Sequence, residues 1–522
     1  MAERDRVSKI TDAVGVILYV AGILCMCVIC SRLFTDDIWY DEVFSLGFIR
    51  YGYADIASLT AMDVHPPLYY MYLKTVTAIG MALVGESHII VLAKLASALP
   101  WLGLLVVSVT YIRRKWGLSV SGIFLFFVTA MPQICGFYGE IRMYSFALLL
   151  VSINVLLAVR ILSDGDNALI WILFLLSGIM TAYTQYYACI AIIGTYIAIF
   201  TDSLIYKNER NRTIIRNLII SAILSVIAYL PWLPVLRAQM GNISGKYWIQ
   251  PLTIRSLAGC IKFLILPATD MTGLAYICAV AGVISIALIV TLYVIYCSRE
   301  SIRELICLMC PILIVIISGF ILSAAGTPIF IYRYMIPAAG GLWLAVAICA
   351  MKAGEGYKEK HTDRTVISLF PILLMIPLII IGLVNVRGFY GEERWKEIHI
   401  DDAMETLHGL DDAAVIVANF DHVASIMGYY LPDNTVLLYD DSCDQLITRM
   451  NDRCGNMATD EDIDKLLRDG KKVYFFGSFS SRDEITDKWG RAGIGSELMG
   501  EIFIERYWIN IYSLSVDDEQ NT

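Results

Sequence analysis

Residues 272–297 read TGLAYICAVAGVISIALIVTLYVIYC, an unbroken run without one charged side chain. A helix rises about 1.5 Å per residue, so a run of this length reaches across a hydrocarbon layer roughly 30 Å thick. Comparable runs at 13–30, 89–112, 119–137, 143–162, 169–183, 186–201, 214–236, 305–324, 328–351 and 366–386 bring the expected number of spans to about eleven. Two more apolar stretches, 66–84 and 256–268, have Pro-rich or amphipathic edges and are expected to be re-entrant or to lie at the interface. The whole chain is 57% hydrophobic and 17% charged, with a mean hydropathy of +0.64. That is too apolar for a soluble core inside a polar shell, so the expected fold class is a polytopic α-helical membrane protein.

From about residue 388 the pattern changes. Ala413–Ala418, Thr435–Tyr439, Val473–Phe476 and Tyr507–Leu514 read as strands, and His422–Tyr430 and Asp462–Leu467 as helices, which together predict a soluble C-terminal α/β domain. The expected division is a membrane domain over 1–387, with 31–88 as its first extracytoplasmic loop, and the α/β domain over 388–522. Residues 388–522 hold 12 Lys and Arg against 28 Asp and Glu; the net charge of −9 for the whole chain therefore leaves the membrane part at +7. A basic surplus there belongs in cytoplasmic loops rather than at a nucleic-acid surface, and no nucleic-acid partner is expected. Arg113-Arg114-Lys115, Lys207–Arg216 and Lys352–Arg364 fall on one side when the spans alternate, together with Arg4, Arg6 and Lys9 of an uncleaved first span. The expected topology is a multi-pass cell-membrane protein with a cytoplasmic N-terminus and an extracytoplasmic C-terminal domain. It fails if 66–84 crosses fully.

Of 13 cysteines, eleven precede residue 350 and mostly lie in apolar helices, where Cys behaves as a small apolar residue. Cys25, Cys27 and Cys30 are read as packing residues for that reason rather than as metal ligands. Cys443 and Cys454 differ: they lie in the soluble segment, and the sequence leaves open whether they are bridged.

Three constellations carry candidate chemistry, all on the expected outer face. The first outer loop holds Asp36, Asp37, Asp41 and Glu42 and continues through Asp63 and His65 to Pro66-Pro67-Leu68-Tyr69-Tyr70. Carboxylates at a membrane surface can deprotonate an acceptor hydroxyl or ligate a divalent metal ion, against the plain alternative that loop acids are merely solvated. Trp39, Tyr40, Val43 and Phe44 flank Asp41 and Glu42 with apolar bulk, which favours a functional pair; Asp36 and Asp37 are read as scaffold. Next come Glu140, Arg142 and Tyr144 at a helix junction, where ionisable groups near lipid are functional candidates, unless Glu140 and Arg142 simply form an ion pair. Third are Arg333 and Tyr334, an arginine whose planar fork suits a phosphate. Gln185 and Tyr186 sit at another outer helix end and are weaker candidates, since an aromatic belt explains such tyrosines; Lys246, Tyr247 and Trp248 could touch a lipid headgroup. There is no Walker loop, HExxH, GxSxG or CxxC pair.

Taken in order, Asp41-Glu42, His65-Pro66-Pro67-Leu68-Tyr69-Tyr70, Glu140-Ile141-Arg142-Met143-Tyr144 and Arg333-Tyr334 resemble the dolichyl-phosphate-mannose-protein mannosyltransferase-like bacterial glycosyltransferases, family 39 of the GT-C fold class. The resemblance covers roughly residues 10–390. It implies a hexosyltransferase that moves a sugar from a polyprenyl-phosphate-linked donor to an extracytoplasmic acceptor with inversion. It further implies Asp41 as general base with Glu42 as its partner or a metal ligand, and His65, Arg142, Tyr144 and Arg333 at the donor phosphate. Relatives often carry His-Tyr where this chain has Gln185-Tyr186, a departure from the pattern.

The chemistry is coherent with those roles. A lipid phosphate leaving beside hydrocarbon needs fixed cations, and it departs without protonation, so one carboxylate suffices where glycosidases use two. The rival readings are a transporter or flippase of lipid-linked saccharides and a membrane-anchored binding protein. A transporter is expected to show repeated halves and midplane charges, and this sequence has neither.

Overall fold

The computed structural model describes residues 2–85, 88–206, 210–242, 249–267, 273–297, 299–361 and 365–516. Lys246, Tyr247 and Trp248 lie outside them. The chain is a polytopic helical membrane protein with a C-terminal sheet domain, and it divides into two compact units.

The first unit comprises Met1–Leu33, Val64–Thr75 and Lys94–Gly391. Among the described residues nine helices are long and apolar enough to span, and Ala168–Ala182 is a shorter apolar one. The difference from eleven lies in that short helix and in continuity. The expected spans 89–112 and 119–137 belong to one helical stretch, Ile89–Ala130, of 42 residues. At about 1.5 Å per residue that is about twice the thickness of a hydrocarbon layer. Gly117 breaks it, with φ +90° and ψ 174°, a conformation that a residue with a Cβ rarely adopts. The helix Leu68–Val84, expected to be re-entrant or interfacial, has 17 residues and is also shorter than the nine.

Helix contacts in this unit depend on small residues that let backbones approach. On the first helix, Gly15 and Gly22 face Ser119 and Phe126 of Arg113–Ala130, and a Cβ on Gly15 would stand 2.7 Å from the Ser119 Cα. Gly194 meets Pro311 in the same way, at 2.8 Å from its Cα. One end of the bundle is tied by charge: Glu304 pairs with Lys115 at 3.3 Å and with Lys352 at 3.1 Å, and Arg303 reaches Asp202 at 2.7 Å. Lys115 and Lys352, from two of the basic segments, thus share one acid.

The second unit comprises Phe34–Asp63, Val76–Ala93 and Glu392–Thr522. The boundary falls at 391/392 rather than 388. Most of the first loop, expected to be part of the membrane domain, clusters with the tail. The tail folds around a six-stranded sheet in the order β3-β2-β1-β4-β6-β5. The strands are β1 (Val415–Ala418), β2 (Thr435–Tyr439), β3 (Cys454–Ala458), β4 (Val473–Gly477), β5 (Ile494–Ile504) and β6 (Tyr507–Val516). The four β3-β2-β1-β4 neighbours are parallel and need helical crossovers, whereas β5 and β6 form an antiparallel hairpin beside β4. One face buries Val417, Phe475, Trp489 and Ile463, which form the core.

Candidate functional site

In the second unit the acids sit at the start of a short helix, Tyr40–Phe48. Glu42 is 3% exposed, and its Oε2 accepts the backbone N–H of Trp39 at 3.2 Å. A first-turn carboxylate that returns to a backbone donor stabilises the helix start. Glu42 therefore has a structural duty besides any chemical one, while Asp41, next to it, is half-buried. The Asp37 carboxylate accepts the Thr35 hydroxyl.

The tail grips this loop at several points. The Tyr430 hydroxyl donates to the Asp36 carbonyl at 2.6 Å and accepts the Ile38 N–H at 3.0 Å. Glu505 Oε1 accepts the Tyr40 N–H at 3.3 Å and lies 3.2 Å from His422 Nδ1, while the His422 ring stacks on Tyr40. Arg506 lies over the Trp39 ring at 4.2 Å. Glu505 and Arg506 form the two-residue turn between β5 and β6, with φ of +52° and +67°. Such a turn ordinarily takes Asn or Gly, and two long side chains there cost backbone strain. Both are used to hold the loop. Glu505, Arg506, His422 and Tyr430 were not among the sequence candidates, because their partners lie hundreds of residues away.

Asp63 has a different electrostatic neighbour. Burial first, and then the nearby Asp63 and Asp421, hold the Asp444 carboxyl above its ordinary range. Among the described residues no three His, Cys, Asp or Glu side chains converge as a metal-holding group. Asp41 and Glu42 offer two carboxylates where a divalent cation takes about six oxygens, and one carboxylate already serves the helix start.

The first unit gathers the remaining candidates. The helix Tyr144–Ser163 packs against a 3-10 turn, Tyr332–Ala338, and this contact brings Arg333 over the Tyr144 ring, 5.9 Å from its centroid. Arg142 precedes that helix, 4% exposed, in a tight turn where its N–H donates to the Glu140 carbonyl at 2.7 Å. Tyr334 stacks on Tyr187, with ring centroids 4.5 Å apart. His65 is buried, and three residues on Leu68 donates its N–H to the Tyr183 carbonyl at 2.9 Å, which fixes the His65–Tyr70 segment beside the 183–187 helix junction. Tyr72 stacks on Phe146, tying the same segment to the helix that Tyr144 begins.

Gln185 and Tyr186 both make contacts within this unit. The Gln185 side chain accepts the Ala188 N–H at 3.1 Å and so caps the helix Tyr186–Ile205. The Tyr186 hydroxyl bonds to Gln239 and accepts Trp232 Nε1 at 3.0 Å. Tyr187, the next residue along, is the one that reaches Tyr334. The structure thus shows two groups, each within its own unit: the acid loop with its tail clamps, and Arg333 over Tyr144 with Tyr334 on Tyr187, Arg142 standing two residues before Tyr144.

No family model and no curated protein sequence matches the chain. Solved structures do. The crystal structure of ArnT from Cupriavidus metallidurans in the apo state aligns over 95% of this chain and 97% of its own, with a TM-score of 0.57 and 12% identity. The same protein bound to undecaprenyl phosphate aligns over 96% and 98%, with a TM-score of 0.58 and 12% identity. At that identity the likeness is one of fold.

Proposed function

We propose that the chain is a GT-C glycosyltransferase that takes a sugar from a polyprenyl-phosphate-linked donor and transfers it, with inversion, to an acceptor outside the cytoplasm. The observation that carries this reading is the cluster in the membrane unit, where a buried arginine and a second one over Tyr144 come from segments about 190 residues apart. The planar forks of two arginines suit an anionic oxygen ligand. A lipid phosphate supplies that charge. One of the two structures with this fold was solved with undecaprenyl phosphate bound, the same class of carrier.

In this reading Arg142 and Arg333 bind the donor phosphate and stabilise it as it leaves, with His65 and Tyr144 beside it. Asp41 takes the proton from the acceptor hydroxyl, and Glu42 holds the helix start that presents Asp41. A single displacement on the face opposite the phosphate inverts the anomeric carbon. A divalent ion at Asp41 would have to draw most of its oxygens from water or substrate. The tail and the acid loop face the extracytoplasmic side and the N-terminus the cytoplasm. The finer assignment, to the mannosyltransferase-like family and to a hexose donor, rests on the four motifs in order.

The test is transfer from a radiolabelled polyprenyl-phosphate sugar in detergent. Asp41→Asn should abolish transfer while the protein keeps its elution volume and still retains undecaprenyl phosphate. Undiminished transfer by that variant removes Asp41 from the role of base.

A further inference from the structure

The second unit holds two cysteines, and both are buried: Cys443 at 4% exposure and Cys454 at 1%. Their backbones are already joined, the Cys443 N–H donating to the Gly455 carbonyl at 3.1 Å. The thiols lie over neighbouring turns of the helix Asp421–Tyr430. Cys443 Sγ stands 3.8 Å from the Asp421 carbonyl and Cys454 Sγ 3.3 Å from that of Ala424. Glycines make the room: Gly428 faces Cys454 Sγ, and a Cβ on Gly455 would come within 2.9 Å of Cys443 Sγ. The other eleven cysteines all belong to the membrane unit.

The geometry points to a redox pair that closes as a structural disulfide between Cys443 and Cys454. Two thiols give up two protons and two electrons as one S–S bond forms, and the electrons pass by thiol–disulfide exchange to the disulfide of an extracytoplasmic oxidoreductase, which becomes a dithiol. Side-chain rotation brings the two sulfurs to the bonded distance of about 2.05 Å. The loop so closed contains the helix Gln445–Met450, which backs the acid loop: Arg449 Nη1 lies 3.2 Å from Met62 Sδ, and Met450 packs on Gly47 of the helix that carries Asp41. The crosslink thus restrains the support of that helix. This inference rests on the extracytoplasmic placement of the tail, because only an oxidising compartment keeps such a bond closed.

The experiment uses the full chain, alkylated with iodoacetamide during extraction, unfolded and digested. The expected result is one crosslinked species joining the Cys443 and Cys454 peptides, two hydrogens lighter than their sum, with both residues alkylated only after reduction. Dithiothreitol should also lower the melting temperature by several degrees in the native chain and leave a Cys443→Ser/Cys454→Ser variant unchanged. Lys471→Cys, at an exposed position of the tail, reports placement through a membrane-impermeant maleimide on intact cells. Alkylation of both thiols without reduction overturns the disulfide while Lys471→Cys is labelled. A Lys471→Cys that stays unlabelled overturns the placement, and the disulfide with it.

Discussion

The ring of His422 lies flat on that of Tyr40, with centroids 3.8 Å apart and planes 4° from parallel, and Glu505 touches both residues. A ring from the tail and one from the first loop are thus held in register by a carboxylate that is 5% exposed. This arrangement makes the acid helix depend on a hairpin turn that sequence places far from it.

Glu505→Ala removes the acceptor of the Tyr40 N–H and strands a donor at the start of the acid helix. Such a loss costs about 1–3 kcal/mol. The expected outcome is faster proteolysis within residues 34–63 and a fall in transfer kcat, with Glu505→Gln largely restored because an amide oxygen can still accept. Equal proteolysis rates for the alanine variant and the native chain would show that the clamp does not hold the loop.

Arg333→Lys keeps the charge and loses the planar fork. Hydrogen bonds to charged partners contribute about 1.5–3 kcal/mol, so the donor KM should rise, or kcat fall, roughly 10- to 100-fold. Arg142→Lys should behave alike, its side chain being still more buried. Steady-state kinetics against a water-soluble short-chain donor checks this. Unchanged constants in both variants would separate the arginines from the phosphate.

Much of this architecture can be read from the chain, and the exceptions have physical causes. Long apolar runs declare themselves because lipid leaves a helix little choice, so the spans stand near where hydropathy puts them. In the tail, Thr435–Tyr439 is a strand with the expected bounds, since its Thr, Val and Tyr suit a half-buried sheet. β5 escapes notice because Gly495, Glu497, Gly500 and Glu501 break its pattern, and because Glu505-Arg506 carries no turn signal. β3, with Gly455 and Asn456, is hidden for the same reason. Among site residues, Arg142 and Arg333 stand out as charges beside lipid. The tail clamps could not, since Tyr430 and Glu505 gain meaning only from partners some 400 residues earlier.

Acid should loosen the tail through Asp460. Burial raises its carboxyl, but Lys488, Tyr439 and Trp489, all bonded to it, outweigh that and hold it below the ordinary value. A folded-state pKa that is depressed contributes stability above the unfolded value, near 3.9, and loses it as pH falls through the folded one. The contribution is modest, because the carboxylate is partly solvated. The melting temperature of the chain should therefore drop between about pH 5 and pH 2 more steeply than that of Asp460→Asn, followed by circular dichroism. Parallel curves would mean that Asp460 does not titrate with folding.

The first helix docks on Arg113–Ala130 through glycine. Gly122 has its would-be Cβ directly against the Gly15 carbonyl oxygen, a backbone atom that no rotamer change can move aside. Gly122→Val must therefore part the two helices, and forcing extra carbons into a packed interface costs about 1–3 kcal/mol. Gly241, by contrast, has nothing within 4 Å of its would-be Cβ. Gly241→Ala should leave stability unchanged or raise it slightly, since alanine favours a helix over glycine. Thermal unfolding in detergent distinguishes the two. A Gly122→Val protein that melts with the native one would show that the helices do not approach backbone to backbone.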